Sequence, residues 1–148
     1  AAQAGGGYVF IRIGGTWSQQ AYVKASNTQG SDRFGSSIAL SGDGNTLMVG
    51  ASNEDGSNTG IGSLSNEFAA DAGAAYTYTR SGTAWTPRSY VKASNTGAGD
   101  RFGASVALSG DGSTRVIGAP FEDGIATGIA GNQGDNSAPD AGAVYVYQ

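Results

Sequence analysis

The two long segments at residues 52–71 and 120–140 hold the side chains most able to do chemistry. Both are rich in Gly, Asn and Ser, and each carries carboxylates at similar positions. Calcium takes six to eight oxygen ligands, several of them carboxylates, so a cation could tie each segment down. Solvated carboxylates in Asx-type turns are the simpler interpretation, and both stay open. The candidate calcium ligands are Glu54, Asp55, Asp71, Glu122, Asp123 and Asp140.

Aromatic side chains near the two ends of the chain are the second set of candidate binding residues. Packing between strands and between sheets is their favoured role, and a surface that stacks carbohydrate is the alternative. Two lysines, Lys24 and Lys92, fall at the ends of predicted strands, where solvated side chains are expected. The candidate binding and assembly residues are Tyr8, Phe10, Trp17, Tyr145 and Tyr147.

The composition restricts the chemistry further. The 148 residues include no histidine and no cysteine, which removes imidazole bases, thiolate sites and disulfides. The 12 acidic and 8 basic residues give a net charge of −4, which is unsuited to a phosphate backbone. No apolar run approaches the roughly 20 residues that span a bilayer. The composition therefore predicts a protein that is not an enzyme, does not bind nucleic acid and does not insert into a membrane.

An internal repeat must position these residues. The segment 22–52 returns at 90–120, 68 positions later, with 21 of 31 residues identical. Beyond the long segments the offset becomes 69, because one residue has been inserted where insertions cost little. A repeat of this length indicates a repeated structural unit rather than a single irregular domain.

Alternating apolar and polar residues between Gly, Asp and Asn clusters predict short antiparallel strands and no helix. We distinguish four strand types. Type A is predicted at 34–40 and 102–108, and type B at 46–51 and 114–119, joined by a Ser-Gly-Asp-Gly turn. Type C is predicted at 8–13, 74–80 and 143–147, and type D at 17–24 and 85–92. Four short strands per unit favour a β-propeller blade over a sandwich or a solenoid.

Two short motifs in each unit resemble the FG-GAP repeat, the blade unit of integrin α-chain propellers and of many bacterial surface and secreted proteins. Phe-Gly begins strand A, and Gly-Ala ends strand B. The first unit departs from the pattern at Ser52, which stands in place of proline. The matching residues are Phe34, Gly35, Gly50, Ala51, Phe102, Gly103, Gly118, Ala119 and Pro120.

The resemblance implies an all-β fold of propeller blades with a role in adhesion. It also implies calcium at an Asp-rich turn between strands A and B, but Asp43 and Asp111 are the single carboxylates of those turns here, so that function is not carried over. The expected function is a non-enzymatic extracellular recognition or adhesion module, secreted or at the cell surface. Its expected partners are other copies of itself and a glycan or extracellular protein.

The strand count does not close a ring. Residues 1–26 form a leading C–D hairpin, 27–94 a full blade, and 95–148 a blade without its last strand, which makes about two and a quarter blades where propellers need about four or more. Three outcomes stay open: a segment of a longer propeller, a closed ring of copies, or an open filament. The alternative function is therefore a structural subunit that assembles by strand donation.

Overall fold

The computed structural model describes residues 1–62 and 66–148, and these residues form β-strands joined by turns and loops. The strands are β1 Gly7–Ile13, β2 Thr16–Val23, β3 Phe34–Leu40, β4 Thr46–Ala51, β5 Ala74–Ser81, β6 Ala84–Val91, β7 Ser105–Leu108, β8 Arg115–Ala119 and β9 Ala143–Tyr147.

Three antiparallel sheets follow one another along the chain. The hairpin sheet contains β1 and β2, the central sheet has the order β3-β4-β5-β6, and the terminal sheet has the order β7-β8-β9. The predicted all-β class and the predicted A, B, C, D strand order are confirmed. No sheet among the described residues is closed on itself.

One predicted strand is shorter than expected. Strand β7 begins at Ser105 instead of residue 102, because Phe102 has no ladder partner in β8, whereas the equivalent Phe34 pairs with Ala51 of β4. Phe102 instead makes an isolated parallel bridge to Gly73 of the central sheet. The residues before β7 therefore join two sheets instead of extending one.

The central sheet is buried on both faces, which explains why β4 is a continuous apolar run. Successive side chains of a strand point to opposite faces. Leu47 and Val49 pack towards the hairpin sheet in one core, and Met48 packs towards the terminal sheet in the other. Burying side chains of this size contributes about 1.5–3 kcal/mol each.

The Phe-Gly and Gly-Ala motifs meet where the backbones of two sheets come into contact. A Cβ atom added to Gly50 would lie 2.0 Å from the carbonyl oxygen of Gly103, two residues before β7 of the terminal sheet. That oxygen also accepts a hydrogen bond from the Ser37 hydroxyl at 2.7 Å. The motif glycines thus allow backbone-to-backbone contact between neighbouring sheets.

In the part of the chain that the structure describes, two outer faces lack the neighbouring sheet that the central sheet has on both sides. Tyr8, Phe10 and Tyr22 are more than half exposed on the hairpin sheet, on what we name the leading face. Val144 and Val146 are similarly exposed on the terminal sheet, on what we name the trailing face. Each face repeats side-chain positions that are buried in the central sheet.

Candidate functional site

A buried glutamate lies at the centre of the central sheet's polar site. Glu54 follows β4, is 1% exposed, and accepts hydrogen bonds from four donors. Lys92 Nζ lies at 2.8 Å, the Tyr90 hydroxyl at 2.7 Å, Asn27 Nδ2 at 2.9 Å and the Gly56 amide at 3.1 Å. The carboxylate is therefore satisfied by protein donors, as a buried charge requires.

Strand β6 and a loop segment position two of these donors. Tyr90 lies in β6, and Lys92 follows directly after the strand ends. Residues 60–62, which we name the clasp, pair with this end of β6 along the edge that β5 does not use. The Lys92 amide donates to the Gly60 carbonyl at 2.8 Å, and the Gly62 amide donates to the Tyr90 carbonyl at 2.9 Å. Strand β6 is thus held between β5 and the clasp.

The hairpin sheet supplies the third donor. Asn27 follows β2, and its Oδ1 atom accepts a hydrogen bond from the Tyr76 hydroxyl at 2.6 Å. Its Nδ2 atom then faces Glu54. This asparagine couples the two sheets, because it follows β2 of the hairpin sheet and bonds to Tyr76 in β5 and to Glu54 after β4.

Burial dominates the electrostatics of the site. Desolvation lowers the pKa of Lys92, while the neighbouring Glu54 carboxylate opposes that change. Desolvation, and then Glu54, raises the pKa of Tyr90 well above its ordinary value. Lys92 and Glu54 form the one ion pair among the described residues. The expectation that Lys92 is solvated is wrong, because the clasp and Glu54 enclose the end of its strand.

The terminal sheet repeats half of this site. Glu122, 68 positions after Glu54, is 5% exposed and accepts hydrogen bonds from Asn95 Nδ2 at 2.7 Å and the Gly124 amide at 2.9 Å. The Tyr145 hydroxyl donates to Asn95 Oδ1 at 2.6 Å, as Tyr76 does to Asn27. In the described part of the chain, no tyrosine or lysine donates to Glu122 as Tyr90 and Lys92 do to Glu54.

The hairpin sheet carries the complementary half. Tyr22 and Lys24 precede Tyr90 and Lys92 by 68 positions. The rings of Tyr8 and Tyr22 lie 4.8 Å apart, close to the 5.3 Å between Tyr76 and Tyr90. Lys24 Nζ donates to the Gly5 carbonyl and forms no ion pair within the described residues.

Most of the candidate calcium ligands accept hydrogen bonds from protein donors. Asp55 Oδ1 accepts the Asp71 amide at 2.8 Å, and Asp123 Oδ1 accepts the Asp140 amide at 2.9 Å. Across residues 1–62 and 66–148, no group of three or more Asp, Glu, His or Cys side chains could hold a metal ion. Calcium binding stays a prediction.

The candidate assembly residues divide into two groups. Tyr8, Phe10 and Trp17 are exposed on the hairpin sheet. Tyr145 and Tyr147 turn inward and pack against the central sheet, where the Tyr147 hydroxyl donates to the Lys92 carbonyl at 2.9 Å. None of the described residues forms a helix long and apolar enough to cross a membrane.

Sequence reasoning missed the Glu54–Lys92 pair and the role of Asn27. Their signal was present, because glutamate, lysine and asparagine all recur 68 positions apart. What the sequence could not show is that Lys92 lies within 2.8 Å of a residue 38 positions earlier.

Comparison with models of known protein families matches residues 17–78 and 85–147 to the FG-GAP repeat. The first match runs from β2 into β5, and the second runs from β6 to the end of β9. A search of the curated proteins returns no match.

Proposed function

Because the chain belongs to the FG-GAP repeat family, we propose that it is a non-enzymatic extracellular recognition module whose sheets associate with those of other copies. One observation carries this proposal. Positions that are buried inside the molecule are exposed at their equivalents on the leading and trailing faces.

The leading face shows the difference most clearly. Tyr8 and Phe10 are 60% and 53% exposed, whereas Tyr76 and Tyr78, 68 positions later, are 2% and 3% exposed. Tyr76 and Tyr78 pack in the core between the central and hairpin sheets. Exposed apolar surface of this kind marks interaction sites.

The trailing face is its counterpart. Val144 and Val146 are 69% and 59% exposed, whereas Ala75 and Thr77 at the equivalent positions are 0% and 1% exposed. Behind Val144 an open cavity is lined by Gly118 and Ala119. In the central sheet, the equivalent Gly50 receives the backbone of Gly103 from the next sheet.

A second copy is the occupant that fits both faces. The contact between a trailing-type face and a leading-type face already occurs twice within the chain, at the two cores of the central sheet. A leading face on a trailing face is a head-to-tail contact, which generates a ring if the rotation closes and a filament if it does not.

Sedimentation velocity over a range of concentrations tests this proposal. We expect discrete oligomers or filaments from the parent chain, and monomers from Tyr8→Ser and from Val144→Asp. Phe68→Ser is the control, because Phe68 is 86% exposed but lies in the 52–71 loop. A parent chain that stays monomeric at every concentration would contradict the proposal.

A structural subunit of a ring or filament is the second candidate function. The half-built site at Glu122 favours it, because an unfilled strand position directs assembly. Binding of a glycan or extracellular protein distinguishes the recognition module from the structural subunit. Under the recognition function, changes in the 52–71 loop should abolish that binding and leave assembly intact.

Secretion or surface display, which the resemblance implied, is part of the proposal and is tested by locating the protein in its cells of origin.

Calcium in the 52–71 and 120–140 loops is a separate hypothesis. It predicts that millimolar calcium raises the melting temperature and that a chelator reverses the effect. Asp71→Asn should abolish the response of the first loop. An identical melting temperature with calcium and with chelator would exclude a structural calcium ion.

A further inference from the structure

The central sheet contains a filled strand position with three walls. Strand β6 pairs with β5 on one edge and with the clasp at residues 60–62 on the other. At the end of the strand, Lys92 and Tyr90 reach Glu54. Together these walls select an extended segment with tyrosine and lysine two residues apart.

Each of these three walls has an equivalent in or beside the terminal sheet, 68 or 69 positions later in the chain. Strand β9 pairs with β8 on one edge, and no described strand pairs with its other edge. Residues 128–130 repeat the clasp: Gly128 has a φ of 78°, matching 77° at Gly60. Ile129, equivalent to Ile61, is 99% exposed. Glu122 has two of the four donors that Glu54 has.

We propose that this position, the terminal slot, binds the strand containing Tyr22, Val23 and Lys24 from a second copy of the chain. The inference deepens the second candidate function, assembly by strand donation, and rests on it, because β1 and its leading face separate from β2 in this arrangement. In the slot, Lys24 of the second copy pairs with Glu122, and Tyr22 of the second copy donates its hydroxyl to the same carboxylate.

Sequence identity and charge both favour this occupant. Residues 22–28 are identical to residues 90–96, which form and follow the filled position. Among the described residues, Glu122 is buried without a cationic partner, and Lys24 contacts a carbonyl but no carboxylate. Joining them gives each the partner that its equivalent has in the central sheet.

Entry of β2 into the slot is a strand exchange. Strand β2 pairs with β1 in the single chain. On entering the slot, β2 would separate from β1 and pair with β9 of the other copy. Both β1 and β9 are type C strands, so the backbone hydrogen bonds lost and gained are similar. The bridge from Gly5 to Phe34 would be replaced by one from Gly142, as Gly73 bridges Phe102. The exchange therefore adds the ion pair between Lys24 and Glu122 and the pairing with residues 128–130.

A synthetic peptide of residues 15–28 tests the slot directly. The labelled peptide is added to the full chain, and binding is measured by fluorescence anisotropy. We expect saturable binding that weakens more than about tenfold when the peptide carries Lys24→Met or the chain carries Glu122→Gln, the loss typical of a broken buried charge pair. Asp135→Asn is the matched control, since it removes a carboxylate from the same loop.

The outcomes separate this inference from the proposed function. Peptide binding that depends on Lys24 and Glu122, in a chain that sediments as a monomer, supports the slot and contradicts self-association. A chain that assembles but does not bind the peptide overturns the slot. Equal binding of the parent and Lys24→Met peptides also overturns it, and this comparison requires no change to the folded chain.

Discussion

Glu54 and Glu122 occupy equivalent positions in two sheets, yet their surroundings differ. Glu54 accepts four hydrogen bonds and pairs with a buried lysine, whereas Glu122 accepts two and pairs with none in the described structure. The asparagine and the loop amide are present in both sites. The missing donors all come from strand D, so the polar site belongs to a complete four-stranded sheet rather than to the repeat sequence.

The largest difference in stability between the two sites is expected when the glutamate of each is replaced by glutamine. Glu54→Gln leaves the Lys92 ammonium buried without a counterion, which should lower the free energy of unfolding by about 3–5 kcal/mol. Glu122→Gln loses charge-assisted hydrogen bonds only, at a cost of about 1–2 kcal/mol. Urea unfolding of both variants measures the difference. Equal losses would show that Glu122 already has a cationic partner.

The motif glycines offer a second contrast. Gly50→Ala places a Cβ atom 2.0 Å from the Gly103 carbonyl oxygen, so two sheets must separate, at a cost of about 2–3 kcal/mol. Gly118→Ala meets only the Ser105 hydroxyl, at 2.4 Å, and that side chain can rotate. We expect its unfolding midpoint to stay near that of the parent. A large loss from Gly118→Ala in a monomer would contradict the interpretation that its neighbour is missing.

Alkaline pH should act on the complete site through Tyr90. Its folded-state pKa is raised by burial and by Glu54, so its contribution to stability is full below pH 10 and is lost as the pH rises above that value. At pH 11 the free energy of unfolding should have fallen by about 1.4 kcal/mol through Tyr90 alone. Tyr90→Phe should therefore lose less stability than the parent over that interval, as measured by urea unfolding at each pH. If both chains lose the same unfolding free energy between pH 10 and pH 11, Tyr90 does not cause the pH dependence.

The smallest effect on stability is expected from the hydrogen bond between tyrosine and asparagine that both sites contain. Tyr76→Phe and Tyr145→Phe each remove one hydroxyl bonded to an asparagine, at 2.6 Å in both sheets. A net loss of about 1 kcal/mol is expected for each. Thermal and urea unfolding of the two variants should give matching values. A loss confined to Tyr76→Phe would show that Asn95 is not held as Asn27 is.

Strand positions were predictable because local patterns specify them. Alternation and the 68-residue offset located nine strands, and the observed bounds differ by a residue or two except at β7. That strand starts late because Phe102 has no ladder partner in β8, whereas Phe34 pairs with Ala51 of β4. Whether a residue finds a partner on the next strand leaves no mark in the alternation of its own strand.

The polar site was less predictable. Lys92 was expected in water, because a lysine at a strand end is usually solvated, but the clasp from a loop about 30 positions earlier covers it. Tyr145 and Tyr147 looked equivalent to the exposed aromatics of the leading hairpin, yet they face the central sheet. Both differences depend on which neighbour lies against a given face.

By itself, the sequence determined the repeat, the strand types, their order and the lack of imidazole and thiol chemistry, because composition, alternation and turn residues act over a few positions. Only the tertiary structure decided which copies of each repeated residue are satisfied. Glu54 and Glu122, or Tyr8 and Tyr76, have equivalent sequence positions but different environments, since burial and ion pairing depend on the sheets and strands beside them.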